Sequence, residues 1–292
     1  MDLRAIGMGL AFALMWSSAF TSTHIIVAEA PPLAALALRF ALSGGIGIAL
    51  ALAFGQSWRL SRAQWRATII FGICQNALYL GFNWVAMTTV EASVAAIIAS
   101  TMPLIVGALG WIVFRDRIPL LGIAGLIAGF AGVGIIMGAR LQGGIDPFGL
   151  GLCVAGALAL AVATLTVRGA SGGGGGGVLM IVGLQMLVGS VSLAVVSAFT
   201  EHLDVTVTPK LALAFTYTVI VPGLMATWVW FRLVGRIGAV RAATFHFLTP
   251  VFGVAIAWAV LGEHVDWHDA LGVLVIAGGI LAVQISKQEA RR

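Results

Sequence analysis

Ten apolar runs follow one another along this chain with hardly a charge inside them. They are Ala5 to Ala28, Leu33 to Phe54, Ala67 to Met87, Ala92 to Phe114, Leu120 to Ala139, Phe148 to Val167, Val178 to Phe199, Leu211 to Val234, Ala239 to Leu261 and Ala270 to Ile285. Hydrophobic residues make up 60% of the sequence and charged residues 9%, where a soluble domain carries about 25% charged residues. No soluble core could hide that much apolar surface. A helix of about 20 residues spans the hydrocarbon of a bilayer and satisfies its own backbone there. Most runs reach that length, and the shorter ones approach it with their flanks. The expected fold is an all-α membrane protein of ten transmembrane helices.

The first run begins close to Met1 and exceeds the apolar core of a signal peptide, so it reads as a retained helix. Cys74 and Cys153 both fall inside runs, where a free thiol behaves as a small apolar side chain. They carry no redox signal.

A net charge of +5 and a pI near 10 would suit nucleic acid, but the bases lie in the connecting segments. With both termini cytoplasmic, the inner segments hold thirteen basic residues: Arg4, Arg59, Arg62, Arg66, Arg115, Arg117, Arg168, Arg232, Arg236, Arg241, Lys287, Arg291 and Arg292. The outer segments hold Arg140 and Lys210, with most of the acids. That asymmetry orients both ends of the chain inward. The expected partners are the lipid bilayer and a small molecule, with no nucleic acid. Nothing in the sequence chooses between a monomer and a homodimer.

Two stretches repeat. Shifting residues 82–137 by 147 places, without a gap, lays Pro103 on Pro250, Trp111 on Trp258, Asp116 on Glu263, Gly125 on Gly272 and Gly132 on Gly279. Alanine and glycine matches are cheap in so apolar a chain. The proline, the tryptophan and the acid carry the repeat. Each unit contains five spans, so the second copy enters the membrane from the opposite face, making the halves inverted repeats. The expected units are residues 1–140 and 141–292. The run Gly172 to Gly177 lies within the second unit, between spans six and seven, and behaves as flexible coil, either a native connection or an engineered segment.

Chemistry must come from polar groups inside spans, because these are costly in lipid unless they face protein, water or a ligand. Pro103 and Pro250 remove backbone hydrogen bonds at equivalent places and read as gate or kink residues; Pro222 adds a third break. Span one offers Trp16, Ser17, Thr21 and His24. Span three offers Gln75, Asn76, Tyr79 and Asn83, with 75, 79 and 83 at successive steps of four. Spans four, eight and nine add Ser93, Ser100 and Thr101, then Tyr217, Thr227, Trp228 and Trp230, then Thr244, His246 and Thr249. Together they would line a polar, aromatic pocket. The plainer alternatives are hydroxyls bonded back to their own helix, interhelical glue, and tryptophans of the interfacial belt.

Arg39 lies inside the second span with no intramembrane carboxylate to pair with, which leaves a structural role or a substrate carboxylate. The lack of intramembrane Asp and Glu argues against a carboxylate proton relay and against sites for multiply charged cations. His264 and His268 flank acids in "GEHVDWHD", but zinc needs three or four converging ligands. Asp266 is expected to cap the tenth helix instead. No metal or cofactor is expected, and the spans contain no HExxH or GxSxG motif that would suggest an intramembrane enzyme.

The segment "PPLAALALRFALSGG" and the pair "EASVAAIIASTMPLIVGALGWIVFRDRI" and "GAVRAATFHFLTPVFGVAIAWAVLGEHV" resemble EamA-type members of the drug/metabolite transporter superfamily. The resemblance covers essentially the whole chain and is strongest toward YddG-type exporters of aromatic and other amino acids. It implies a multi-pass carrier of the bacterial inner membrane with a central cavity between its halves. Its four-helix small multidrug resistance relatives use a first-span carboxylate that this chain lacks. The expectation is therefore alternating-access export of small zwitterionic metabolites, amino acids among them. Drugs or nucleotide-sugar-like metabolites are the alternative cargo, and an enzyme or scaffold the alternative class.

Overall fold

Helices account for every regular element among the described residues of the computed structural model, which are 3–115, 119–142, 144–167, 177–238 and 242–289. Ten are long and apolar enough to cross a membrane: α1 (Leu3–Val27), α2 (Pro32–Ala53), α3 (Arg62–Ala86), α4 (Ala92–Val113), α5 (Leu120–Gly138), α6 (Pro147–Leu165), α7 (Val178–Thr200), α8 (Pro209–Ile237), α9 (Thr244–Leu261) and α10 (Trp267–Ser286). All ten expected spans are present. Residues 172–176 of the glycine run, the repeat position Asp116 and both chain ends lie outside the described residues.

The helices pair as an inverted duplication requires. Equivalent helices lie side by side: α2 on α7, α4 on α9 and α5 on α10. Non-equivalent contacts also come in pairs, with α1 on α9 answered by α4 on α6, and α3 on α7 answered by α2 on α8.

The α5–α10 seam shows how glycine makes such pairing possible. A Cβ placed at Gly125 would stand 2.8 Å from the Gly279 carbonyl oxygen, and one at Gly132 would stand 2.9 Å from that of Gly272. Under the 147-residue shift these are the same contact seen twice. With lipid as apolar as any side chain, close backbone approach is what holds such helices together.

Reciprocity extends to the helix ends. The Glu201 carboxylate, just past α7, accepts from the backbone N–H of Leu33 at 2.8 Å and Ala34 at 2.9 Å, at the start of α2. Gln56, just past α2, accepts from Met180 N–H near the start of α7 at 3.1 Å. Glu263, past α9, accepts from Ala92 and Ser93 N–H at 2.8 and 3.0 Å, at the start of α4. First-turn N–H groups have no partner in their own helix, and a carboxylate meets both their hydrogen bonds and their partial positive charge.

Four spans are not continuous α-helix. α4 breaks at Thr101 and restarts at Met102–Phe114 with Pro103 in its first turn. α9 opens as a 3₁₀ turn, Thr244–Leu248, and continues as Thr249–Leu261 with Pro250 in the same place. Proline is tolerated there because a first-turn N–H is unbonded anyway. α3 contains a π-helical stretch, Gly72–Tyr79, and α8 another, Val219–Met225, at equivalent positions. Pro222 sits inside the second. The first has no proline, so the sequence carries no mark of it.

At the start of α10, where Asp266 is expected to cap, the Asp266 backbone N–H donates to the Asp269 carboxylate at 3.1 Å, inside the first turn.

Candidate functional site

Trp16 on α1 and Tyr79 at the end of the α3 π stretch stand at the centre of the bundle, and each borders two separate cavities. One, of about 40 Å³, lies toward the end carrying the α1–α2 and α3–α4 turns and is bordered also by Arg39, Trp84 and Pro222. The other, of about 30 Å³, lies toward the opposite end against Ser100, Pro103, His246 and Thr249. Small-molecule sites usually measure about 300 to 1,000 Å³. The expected single chamber is therefore collapsed into two spaces, with Trp16 and Tyr79 as the partition.

Packed apolar and aromatic side chains flank this central column at both ends. Toward the α1–α2 turn, Ile26, Leu36, Trp84, Met87 and Val90 are at most 2% exposed. Tyr217 donates to Ser18 Oγ at 2.7 Å and Thr218 to Ser22 Oγ at 2.8 Å, tying α8 to α1. At the opposite end His246 is ringed by Phe12, Trp230 and Trp16, with centroids 5.2, 5.3 and 6.2 Å away. The rings meet edge to face, an attractive geometry for aromatic groups.

Arg39 is the electrostatic anomaly. It is 7% exposed, its guanidinium lies 5.4 Å from the Phe40 ring centroid, and its Nε has no hydrogen-bond partner. No carboxylate of the described residues borders either cavity. A charge held in this way costs on the order of 2.5 to 3.5 kcal/mol on insertion scales.

The other expected site residues separate into distinct places. Ser100 borders the second cavity while donating to the Ile97 carbonyl at 2.6 Å, and Thr101 donates to that of Ile98 at 2.6 Å, so both bond back into their own helix. Ser17 donates to the Thr249 carbonyl on α9 at 3.3 Å. Thr21 is buried and His24 half-buried on the same helix, and Thr21 Oγ1 and His24 Nδ1 are without partners. Thr244 sits in the 3₁₀ turn of α9.

The α3 cluster is split. Asn76 donates to the Gln185 carbonyl on α7 at 2.8 Å, and Asn83 donates to the Tyr79 carbonyl at 2.8 Å beside Gly156 of α6. Gln75 is half-buried and borders neither cavity. A π turn bonds i to i+5 and is wider than an α turn. It therefore swings Asn76 onto α7 while Tyr79 faces inward.

Trp228 lies elsewhere. It is 60% exposed, stacks under the Arg232 guanidinium at 5.0 Å and borders an open apolar cleft of about 450 Å³ between α2, α7 and α8. His264 and His268 join no group of three metal-binding side chains among the described residues; His268 stacks on Trp267 at 3.7 Å. Phe12, Phe20, Trp84 and Met87 were not read as site residues from the sequence. Phe12 lies four residues before Trp16 and Phe20 four after, a helical spacing that would have found them.

With this geometry in view, the duplicated matches to known proteins become informative. The profile of the EamA-like transporter family matches twice, over residues 3–138 and 147–284. The chain belongs to the EamA-like transporter family. As such it is a transporter rather than an enzyme, and a multi-pass membrane protein. It is similar to an uncharacterized transporter, YvbV, of Bacillus subtilis, at 25% identity over 97% of this chain and 92% of that one. A probable amino-acid metabolite efflux pump of Salmonella typhimurium is 24% identical over 94% and 92%. The aromatic amino acid exporter YddG of Ancylobacter novellus is 29% identical over 47% of each chain. A solved crystal structure superposes with a TM-score of 0.70 at 23% identity, covering 99% of both chains, and supports the EamA-like fold.

Proposed function

We propose that this EamA-like transporter exports small zwitterionic metabolites, amino acids among them, across a bacterial inner membrane by alternating access. The observation carrying the proposal is the position of Trp16 and Tyr79 between two cavities in a column flanked at both ends by packed apolar and aromatic side chains. A carrier must pass through a state open to neither side, and two spaces divided by two movable aromatic side chains fit that state. Rotation of Trp16 or Tyr79 would join them into one chamber.

In this reading residues 1–140 and 141–292 are the two moving halves, both termini are cytoplasmic, and Pro103 and Pro250 bend the helices that gate the chamber. Trp16, Tyr79, Ser100 and His246 contact cargo. Ser17 and Asn76 hold the wall rather than the cargo. The names of the Salmonella and Ancylobacter relatives favour amino acids over drugs or nucleotide-sugar-like cargo.

Flux of labelled Phe, Trp, Thr and Met through proteoliposomes, with and without an imposed pH gradient, tests the proposal. Saturable movement of at least one, with mutual competition, is expected. If none moves or competes, amino-acid export is wrong.

A further inference from the structure

Arg39 is the only buried basic side chain among the described residues. It is 7% exposed, its Nε donates to no partner, and it borders a cavity of about 40 Å³ next to the partition. That space admits a group of a few heavy atoms and no aromatic ring. A guanidinium keeps its charge and offers a planar fork of donors that matches a carboxylate's two oxygens. Around it stand the aromatic residues Trp16, Phe20, Tyr79 and Trp84 and the aliphatic Leu80, surfaces suited to an apolar body attached to that carboxylate.

The complementary half of a zwitterion site is missing. No Asp or Glu of the described residues borders either cavity, so a fixed positive charge awaits an anion while an ammonium group would meet no fixed negative charge. A primary amine could rest on the aromatic faces, but such contacts tolerate its loss better than a charge pair does.

We propose that Arg39 binds the carboxylate of the transported molecule, and that the recognised class is monocarboxylates with an apolar or aromatic body, for which the α-ammonium group is dispensable. This rests on the export reading of the same chamber. The carboxylate enters the space beside Arg39, and the body occupies the volume released when Trp16 and Tyr79 move apart. Aromatic 2-oxo acids and aryl propionates belong to the class alongside the amino acids. Aryl amines lacking a carboxylate do not.

The test uses the purified full-length protein with three probes that share one ring: phenylalanine, 3-phenylpropionate and phenethylamine. Binding is read as a shift of the thermal unfolding midpoint in detergent, and transport as competition against labelled phenylalanine in proteoliposomes. 3-Phenylpropionate is expected to bind within about threefold of phenylalanine, and phenethylamine about tenfold more weakly or worse, since a charge-assisted bidentate pair is lost. Arg39→Lys should weaken both acids about tenfold while leaving phenethylamine unchanged, because an ammonium cannot reproduce the fork. Arg39→Gln should abolish the preference, and if it fails to fold, Arg39→Lys and the wild-type ranking still decide.

Phenethylamine binding as well as 3-phenylpropionate, or Arg39→Lys discriminating as wild type does, overturns the proposal. Phenylalanine transport without any competition from 3-phenylpropionate also overturns it while leaving amino-acid export intact. Binding of 3-phenylpropionate through Arg39 with no phenylalanine flux upholds it and defeats the amino-acid reading.

Discussion

Gly125 of α5 lies against Gly279 of α10 so closely that a Cβ on Gly125 would stand 2.8 Å from the Gly279 carbonyl oxygen. The equivalent pair, Gly132 and Gly272, makes the same approach at 2.9 Å. Because both obstacles are backbone, a new methyl group cannot be accommodated by a side-chain rotation. Gly125→Ala and Gly272→Ala are each expected to destabilise the protein by about 1 to 3 kcal/mol, the usual cost of overpacking. Gly134→Ala on α5, where nothing lies within 4 Å, is the matched control and should be neutral or slightly stabilising. Thermal unfolding in a fixed detergent measures all three.

Arg115, which ends α4, has φ of 54°, and its repeat equivalent Gly262, which ends α9, has φ of 70°. Both occupy the left-handed region that closes a helix, but only glycine does so without a Cβ penalty. Arg115→Gly should raise stability by about 0.5 to 1 kcal/mol, and Gly262→Ala should lower it by a similar amount. A difference in midpoint of opposite sign for the two variants is the readout.

Tyr79 borders both central cavities, whereas Trp228 stands 60% exposed on the lateral cleft. Tyr79→Ala should reduce saturable flux at least about tenfold at equal expression, while Trp228→Ala should change it less than about twofold. Equal losses from both would mean the cargo uses the lateral cleft instead.

Asn76 holds α3 to α7 through the Gln185 carbonyl. Asn76→Ala should cost about 0.6 to 1 kcal/mol of stability, in the range of interhelical bonds in membranes. Flux per folded molecule should stay unchanged. A selective loss of flux with normal stability would return Asn76 to the cargo site.

Asp146 precedes α6 and accepts from the Thr89 hydroxyl at 2.7 Å and from the Gly149 and Phe148 N–H groups at 3.0 and 3.1 Å. The Thr89 hydrogen bond foremost, then that of Gly149, holds its carboxyl below the ordinary value of 3.8. The folded value lies under the unfolded one, so the stability it contributes is present above the ordinary value and fades as pH falls through the lowered one. The difference in midpoint between wild type and Asp146→Asn should hold at neutral pH and vanish in acid. A difference constant down to pH of about 2 would contradict it.

The ten spans were legible because each is a long apolar run with short polar breaks, and the duplication was legible because proline and tryptophan repeat at one spacing. The α3 site cluster was not. Gln75, Asn76 and Tyr79 look equivalent along an α-helix, but the Gly72–Tyr79 stretch is π-helical and spreads them over different neighbours. No proline marks that stretch, whereas Pro222 marks its counterpart in α8.

Apolar run length, the 147-residue repeat and the loneliness of Arg39 all reside in the order of residues, because bilayer thickness and the cost of an unpaired charge act on each helix independently of its neighbours. Which polar groups face the centre and which bind another helix depends on how each helix is rotated against its neighbours, and that is set by contacts between segments far apart in the chain. Asn76 reaching Gln185, Trp228 turning away from the column, and Trp16 and Tyr79 bordering the same two cavities all belong to that second kind.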